Sequence, residues 1–210
     1  MHTRSLTAFA LLALAAAGPR PAHSQVLQRP PTWKVRFDRP NTPDSAIYYV
    51  DMPPGWHVTT QRVAAILYDP ARTGQGNFSL ESEIFLFPSE RPREAYGVFF
   101  GGRDLDGTNQ AYVYFLVRGD GSFLVKRRNG SNTETVVDWT QHDAVLPMGS
   151  ENVKNVLGVH AGGDTVEFLV NGISVTSVPR AGIECNGIVG LRVNHALNLH
   201  VTSLTVTAGR

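Results

Sequence analysis

A single cysteine, Cys185, is all that the 210-residue chain contains, so no internal disulfide can form and folding has to be driven by burial. The thiol reads as a small buried hydrophobe, because unpaired cysteine is among the most buried side chains. A nucleophilic role needs a base beside it, which sequence order does not supply. Charge is also scarce: charged residues make up 18%, with 19 Lys and Arg against 18 Asp and Glu. The longest like-charge run is Lys126-Arg127-Arg128, which speaks against nucleic-acid and membrane-surface partners. A Gly-rich phosphate loop, a zinc-type histidine-glutamate motif and a Gly-x-Ser-x-Gly elbow are missing too, and with them the chemistries they serve.

Long hydrophobic runs are reduced to one. Leu6 to Ala17 is apolar, follows Arg4, and leads to Ala22-His23-Ser24 before Gln25, the pattern of a secretory signal peptide with a small-x-small cleavage site. It is shorter than the roughly 20 residues needed to span a bilayer. Residues 1–24 are therefore expected to be removed near Ser24, leaving a secreted or periplasmic protein with no membrane span. About 185 residues remain, enough for one domain with a sizeable core.

Prolines 30, 31, 40, 43, 53 and 54 crowd residues 25–54, which read as an irregular lead-in with one candidate strand at 46–51. From residue 55 to 210, strand-like runs rich in β-branched and aromatic residues follow one another, and no amphipathic helix interrupts them. They span 56–59, 64–68, 78–87, 96–101, 111–117, 122–128, 134–137, 156–160, 166–170, 173–178, 188–193 and 197–206. Gly119-Asp120-Gly121, Asn129-Gly130, Gly162-Gly163-Asp164 and Asn171-Gly172 supply the positive φ of tight hairpins. The expected fold class is all-β, a two-sheet antiparallel jelly-roll β-sandwich.

Period-two alternation then sorts side chains between core and surface. In "FSLESEIFLF", Phe78, Leu80, Ile84 and Leu86 share one side with Ser82, leaving Glu81 and Glu83 on the other. At about 3.3 Å per residue the two carboxylates stand ~6 to 7 Å apart, a separation suited to acid/base cleavage of a glycosidic bond or merely to a solvated face. "QAYVYFLV" sets Gln110, Tyr112 and Tyr114 against Ala111, Val113, Phe115 and Val117. Amphipathic rings beside amides suit the apolar faces and hydroxyl rims of sugars; packing under a loop is the other reading. Lys126 and Arg128 share a side with Leu124, either near a groove or simply on the surface.

Asp104-x-Asp106-Gly107 with Asn109 offers oxygens for Ca²⁺, the one metal to weigh here. An EF-hand fails, since the twelfth position from Asp104 is Phe115 and not a bidentate Glu; a plain Asp-Gly turn competes, and no other cofactor is indicated. Arg118-Gly119-Asp120 matches an adhesion tripeptide but is equally a hairpin. Trp56-His57 and Trp139 to Asp143 are further aromatic and histidine clusters, although sequence neighbours in extended chain point apart. Finally, "LRVNHALNLHV" places Leu191 and Val193, then Leu197, Leu199 and Val201, toward the core. A turn at Asn194-His195-Ala196 would make a hairpin, with Arg192, Asn198 and His200 on one polar face and Asn194 at its rim.

The order "GNFSLESEIFLF", "AYGVFFGG", "QAYVYFLVRGDGSFLVKRR", "DWTQHDAV", "NVLGVHAGGDTVEFLVNGISV", "GIVGLRVNHALNLHVTSLTV" resembles the concanavalin A-like lectin/glucanase superfamily, in its laminin-G-like and DUF1080 branches. The resemblance covers roughly residues 56–206. It implies the concanavalin A-like sandwich. It also implies one of several activities: sugar binding, glycan cleavage by a carboxylate pair, or, in the DUF1080 branch, hydrolysis of 3-keto-glycosides. The glucanase motif Glu-x-Asp-x-x-Glu is matched only by Glu81-x-Glu83, with Phe85 or Leu86 at the third carboxylate position. The leading expectation is a lectin-like domain that binds carbohydrate through a polar and aromatic sheet face. The alternatives are a glycoside or keto-glycoside hydrolase using Glu81 and Glu83, and a non-catalytic adhesion module.

Expressed in an export-competent host, the mature protein is expected to begin at Gln25 by intact-mass measurement; a chain that retains Met1 after export contradicts the signal-peptide reading.

Overall fold

A computed structural model describes residues 29–209; the expected signal peptide lies outside the described residues. The strands build two antiparallel seven-stranded sheets, with burial alternating along β5 and β11 and continuous along β6 and β7. The strands are β1 Lys34–Phe37, β2 Ile47–Asp51, β3 Trp56–Thr60, β4 Ala65–Gly74, β5 Phe78–Leu86, β6 Ala95–Arg103 and β7 Ala111–Arg118, then β8 Ser122–Asn129, β9 Asn132–Gln141, β10 Val153–Gly162, β11 Thr165–Val170, β12 Ile173–Pro179, β13 Gly187–Val193 and β14 Asn198–Ala208. Sheet I runs β1-β4-β13-β6-β7-β8-β9 and sheet II runs β12-β11-β10-β5-β14-β3-β2. This is the two-sheet jelly-roll sandwich expected from the sequence.

The core is the set of side chains that alternation aims inward. Phe78, Leu80, Ile84 and Leu86 of β5 face Val113, Phe115 and Val117 of β7 across one hydrophobic cluster. Phe168 of β11 anchors it, with its ring 6.2 Å from Phe100 and 5.2 Å from Phe115. Polar side chains that enter this layer find partners at key positions, as burial favours: Ser82 Oγ donates to the Ser203 carbonyl at 2.8 Å. Asn155 ties the loop at Leu146 through both its amide groups and donates to the Tyr96 hydroxyl. Cys185 is buried, and burial pushes its thiol up.

Turn chemistry agrees with the sequence as well. Asn171 (φ 52°) and Gly172 (φ 78°) both take positive φ, the requirement of a two-residue turn joining β11 to β12. Two departures are instructive. The Pro-rich lead-in contributes an edge strand to each sheet, because β1 pairs with β4 and β2 with β3; β1 was not expected. The expected hairpin at 191–201 does not form. β13 pairs with β4 and β6 in sheet I, whereas β14 pairs with β3 and β5 in sheet II. The chain changes layers at Asn194 to Leu197. Thr60 holds that crossing, its hydroxyl donating to the Asn194 carbonyl at 2.8 Å and accepting from the Leu197 N–H at 3.0 Å. Inward alternation is the same whether the second strand folds back beside the first or lies opposite it, so side-chain pattern alone cannot choose between them.

Phe168→Ala removes the aromatic that both sheets pack against and is expected to cost ~3–5 kcal/mol, read as a lower urea midpoint. A loss below about 1 kcal/mol contradicts this view of the core.

Candidate functional site

Sheet I is strongly bent. Asp38 follows β1 directly and remains in the ladder, its N–H donating to the Ala64 carbonyl at 2.9 Å, while Arg128 belongs to β8, five strands away in the sheet order. Five spacings of about 4.8 Å span ~24 Å in a flat sheet, yet Arg128 Nη1 lies 3.9 Å from Asp38 Oδ1. Two side chains bridge only about half such a span, so the outer face of sheet I is concave.

The floor of this concavity is a second hydrophobic cluster, separate from the core. Tyr68, Phe99, Tyr112 and Tyr114 form a continuous row, with successive ring centroids 6.3, 5.3 and 5.7 Å apart. Gly190 makes room for it: a Cβ there would stand 2.5 Å from Phe99 Cε1, so any larger residue would lift the ring off the sheet. The row is nearly covered, Tyr112 being 3% and Tyr114 8% exposed. The rings therefore offer little stacking surface; their packing fixes the polar groups above them.

Those groups centre on Arg192, which rises from β13 and is only 7% exposed. Its two terminal nitrogens donate to the two carboxylate oxygens of Asp38, each at 2.6 Å, and its guanidinium lies 5.7 Å from the Tyr114 ring centre. Its Nε is buried without a partner. Burial alone would raise the Asp38 pKa, but hydrogen bonds and charge from Arg192, with Arg128 and His195, hold it below its usual range. Burial would likewise discharge Arg192, and the hydrogen bonds and charge of Asp38 reverse that, keeping it a cation. Tyr112 and Tyr114 are pushed up by burial, so they stay neutral.

The β6–β7 loop closes one side. Asp106 accepts from the Tyr68 hydroxyl at 2.5 Å and from Lys34 at 2.6 Å, and the Leu105 carbonyl accepts from Arg36 at 2.8 Å. Beyond Tyr112 and Arg128 the face opens at its rim into a cleft of about 350 Å³, lined also by Arg103, Arg127, Gly182 and Glu184. At the opposite end Trp139 packs on the floor cluster under Arg118, whose guanidinium is 4.0 Å from its ring centre.

The residues singled out from sequence thus divide between two surfaces. Tyr112, Tyr114, Lys126 and Arg192 share the concave face. Gln110 is buried at its margin, where its carbonyl takes the Gly130 N–H at 2.7 Å, and Asn194 lies in the layer crossing. Glu81, Glu83, Asn198 and His200 stand on the outer face of sheet II, across the core, so Arg192 does not meet Asn198 or His200 as expected. There Glu83 is paired with Lys154 at 3.1 Å. The Asn198 amide oxygen is bonded by His57 and Thr59, and His200 packs 6.0 Å from Phe85. Asp104, Asp106 and Asn109 form a turn in which Asp104 takes the N–H groups of Gly107 and Asn109, while Asp106 points to Tyr68 and Lys34. Among the described residues no three His, Cys, Asp or Glu side chains gather as a metal site. His142 accepts the Ala144 N–H, and Arg118 and Asp120 pair within their hairpin at 2.8 Å. Sequence reasoning missed Asp38, Arg36, Tyr68 and Phe99. The alternation in "VRFD" at 35–38 would have flagged the first two, had the prolines around it not masked the strand.

No protein-family model matches the chain, and no curated protein matches it in sequence. Solved structures do match. The carbohydrate-binding module CBM66 from Bacillus subtilis superposes with a TM-score of 0.62 at 15% identity over 84% of this chain and 96% of its own. A GH16 protein of the Bacteroides ovatus mixed-linkage glucan locus, in complex with its product, matches at 0.60 and 7% identity over 84% and 94%. The exoplasmic domain of VIP36 in its Ca²⁺- and mannose-bound form matches at 0.58 and 7% over 85% and 84%. These likenesses establish that the chain has the concanavalin A-like lectin/glucanase fold.

Asp38→Asn leaves the buried Arg192 without its counter-charge. Loss of a buried partner costs ~3–5 kcal/mol; the Asp38 side chain is 31% exposed, which screens the pair and reduces the expectation to ~2–3 kcal/mol at pH 7. Because the Asp38 pKa is depressed when folded, its contribution is complete above about pH 4 and is lost as pH falls through the folded value. Urea melts across pH should show the gap between wild type and variant closing on acidification; a constant gap down to pH 2 contradicts the assignment.

Proposed function

We propose that this protein is an exported glycan-binding module whose ligand lies across the concave face of sheet I. The single observation that carries the reading is the bent sheet itself: a fixed aromatic floor with Asp38, Arg128, Arg192 and Lys126 disposed over it. A saccharide offers pairs of hydroxyls that both donate and accept, and a carboxylate flanked by guanidinium groups serves both functions. Positions already set by packing lower the ordering cost of binding, and Tyr112 and Tyr114 supply that rigidity. The fold supports the reading, since it is shared with a carbohydrate-binding module and with a mannose-bound lumenal domain, although fold alone does not fix function.

Hydrolysis by Glu81 and Glu83 has less support. Glycoside cleavage needs two carboxyl groups flanking the scissile bond, and these two project from sheet II, one bound to Lys154, on the far side of the core from the concavity.

Against an oligosaccharide identified by glycan array, Arg128→Ala is expected to weaken binding ~10- to 100-fold, the worth of one charge-assisted hydrogen bond. His200→Ala and Glu83→Gln should leave affinity within about twofold. Calorimetric titration of the three variants decides the matter. Loss of binding in His200→Ala with none in Arg128→Ala would move the site to sheet II and overturn the reading.

A further inference from the structure

Charge is distributed very unevenly over a chain whose formal net charge is only +1. Around the tyrosines of sheet I, five cations (Lys34, Arg36, Lys126, Arg128 and Arg192) face two carboxylates, Asp38 and Asp106. On the outer face of sheet II acidic groups stand out among the described residues: Glu81, Glu83 and Glu167 face Lys154 and the imidazole of His160, which lies 3.7 Å from Glu167. The screening length at physiological salt is about 8 Å, so a ligand on one face feels mainly that face's charge.

The cations on sheet I are not all committed. Lys34 is taken by Asp106, and Arg192 by Asp38. Arg36 gives one nitrogen to a carbonyl. Arg128 gives its Nε to the Gly130 carbonyl and stands 3.9 Å from an Asp38 that Arg192 already occupies. Lys126, half-buried beside Tyr114 on β8, takes part in none of the ion pairs formed among the described residues. Beneath them the Nε of Arg192 is buried and unpartnered. The rim cleft is lined by Arg103, Arg127 and Arg128, of which Arg127 is paired with Glu134 and Arg103 lies 3.9 Å from Glu184.

On the basis of the glycan-binding reading above, we infer that the ligand of the concave face is an acidic saccharide, one containing uronic acid units, whose carboxylate is held by Lys126 and Arg128. A neutral sugar would cover these cations and return only hydroxyl oxygens, whereas a carboxylate returns charge-assisted bonds roughly twice as strong. Guanidinium and carboxylate match as planar two-pronged partners, and Arg192 with Asp38 already realises that geometry on this surface. Lys126 and Arg128 are two residues apart on one face of β8, ~7 Å along the strand, so one carboxylate can lie between their extended side chains. A single-stranded nucleic acid fits less well, because its bases need exposed aromatic platforms and the tyrosine row is covered.

The test compares oligouronides with their carboxyl-reduced counterparts, in which each carboxylate becomes a primary alcohol and the sugar rings are unchanged. Titration calorimetry of the mature protein in about 50 mM salt is expected to give at least ~10-fold tighter binding of the acid form. Raising the salt should shrink that preference. Lys126→Ala, at a half-buried position where the fold should tolerate it, should remove most of the preference, weakening the acid form about tenfold more than the reduced form. Equal or tighter binding of the reduced form overturns this inference while the glycan reading stands. Binding of neither form, from oligouronides of two epimer types, overturns both. A sulfated saccharide or an oligothymidylate that binds as tightly as the uronide overturns the carboxylate assignment.

Discussion

Asp38 is the carboxylate on which the geometry of sheet I turns. Carried at the end of β1, it accepts both terminal nitrogens of Arg192 from β13 and lies beside Arg128 from β8, so one side chain draws together three strands of a curved sheet. A guanidinium as buried as Arg192 would be costly without it, and a flat sheet would hold these groups too far apart to meet. The tyrosine and phenylalanine row fills the space beneath this bridge, and Gly190 is the residue that lets the row lie down on the strands.

The layer crossing at Asn194 to Leu197 has the second large consequence. By carrying β14 into sheet II it separates two polar sets that sit within ten residues of each other in sequence. Arg192 joins the basic concave face, whereas Asn198 and His200 join a face bearing glutamates and packed histidines. The molecule therefore presents two chemically different surfaces on opposite sides of one core, and ligand chemistry belongs to a surface and not to a stretch of chain.

Much of the fold was legible in the sequence because it rests on local rules. Alternation in Phe78–Leu86 and Ala111–Arg118 assigned the inward and outward sets correctly, and Asn171-Gly172 marked its turn. What was not legible is non-local. β1 hides among prolines because its strand character comes from pairing with β4. The partner of β14 is chosen by packing between layers, which leaves no trace in the period. The same limit applies to the candidate site: Tyr112, Tyr114, Lys126 and Arg192 could be named, but Asp38, whose importance comes from five strands of curvature, could not. Nor does alternation reveal that an outward tyrosine will be covered, since that depends on how far the sheet bends over it.

The most direct test of the central claim is a backbone amide NMR titration of the protein with an oligosaccharide that it binds. Resonances of β7, β8 and β13, among them Lys126, Arg128 and Arg192, should shift together and saturably. Shifts confined instead to β5 and β14, around Glu83 and His200, would contradict the account.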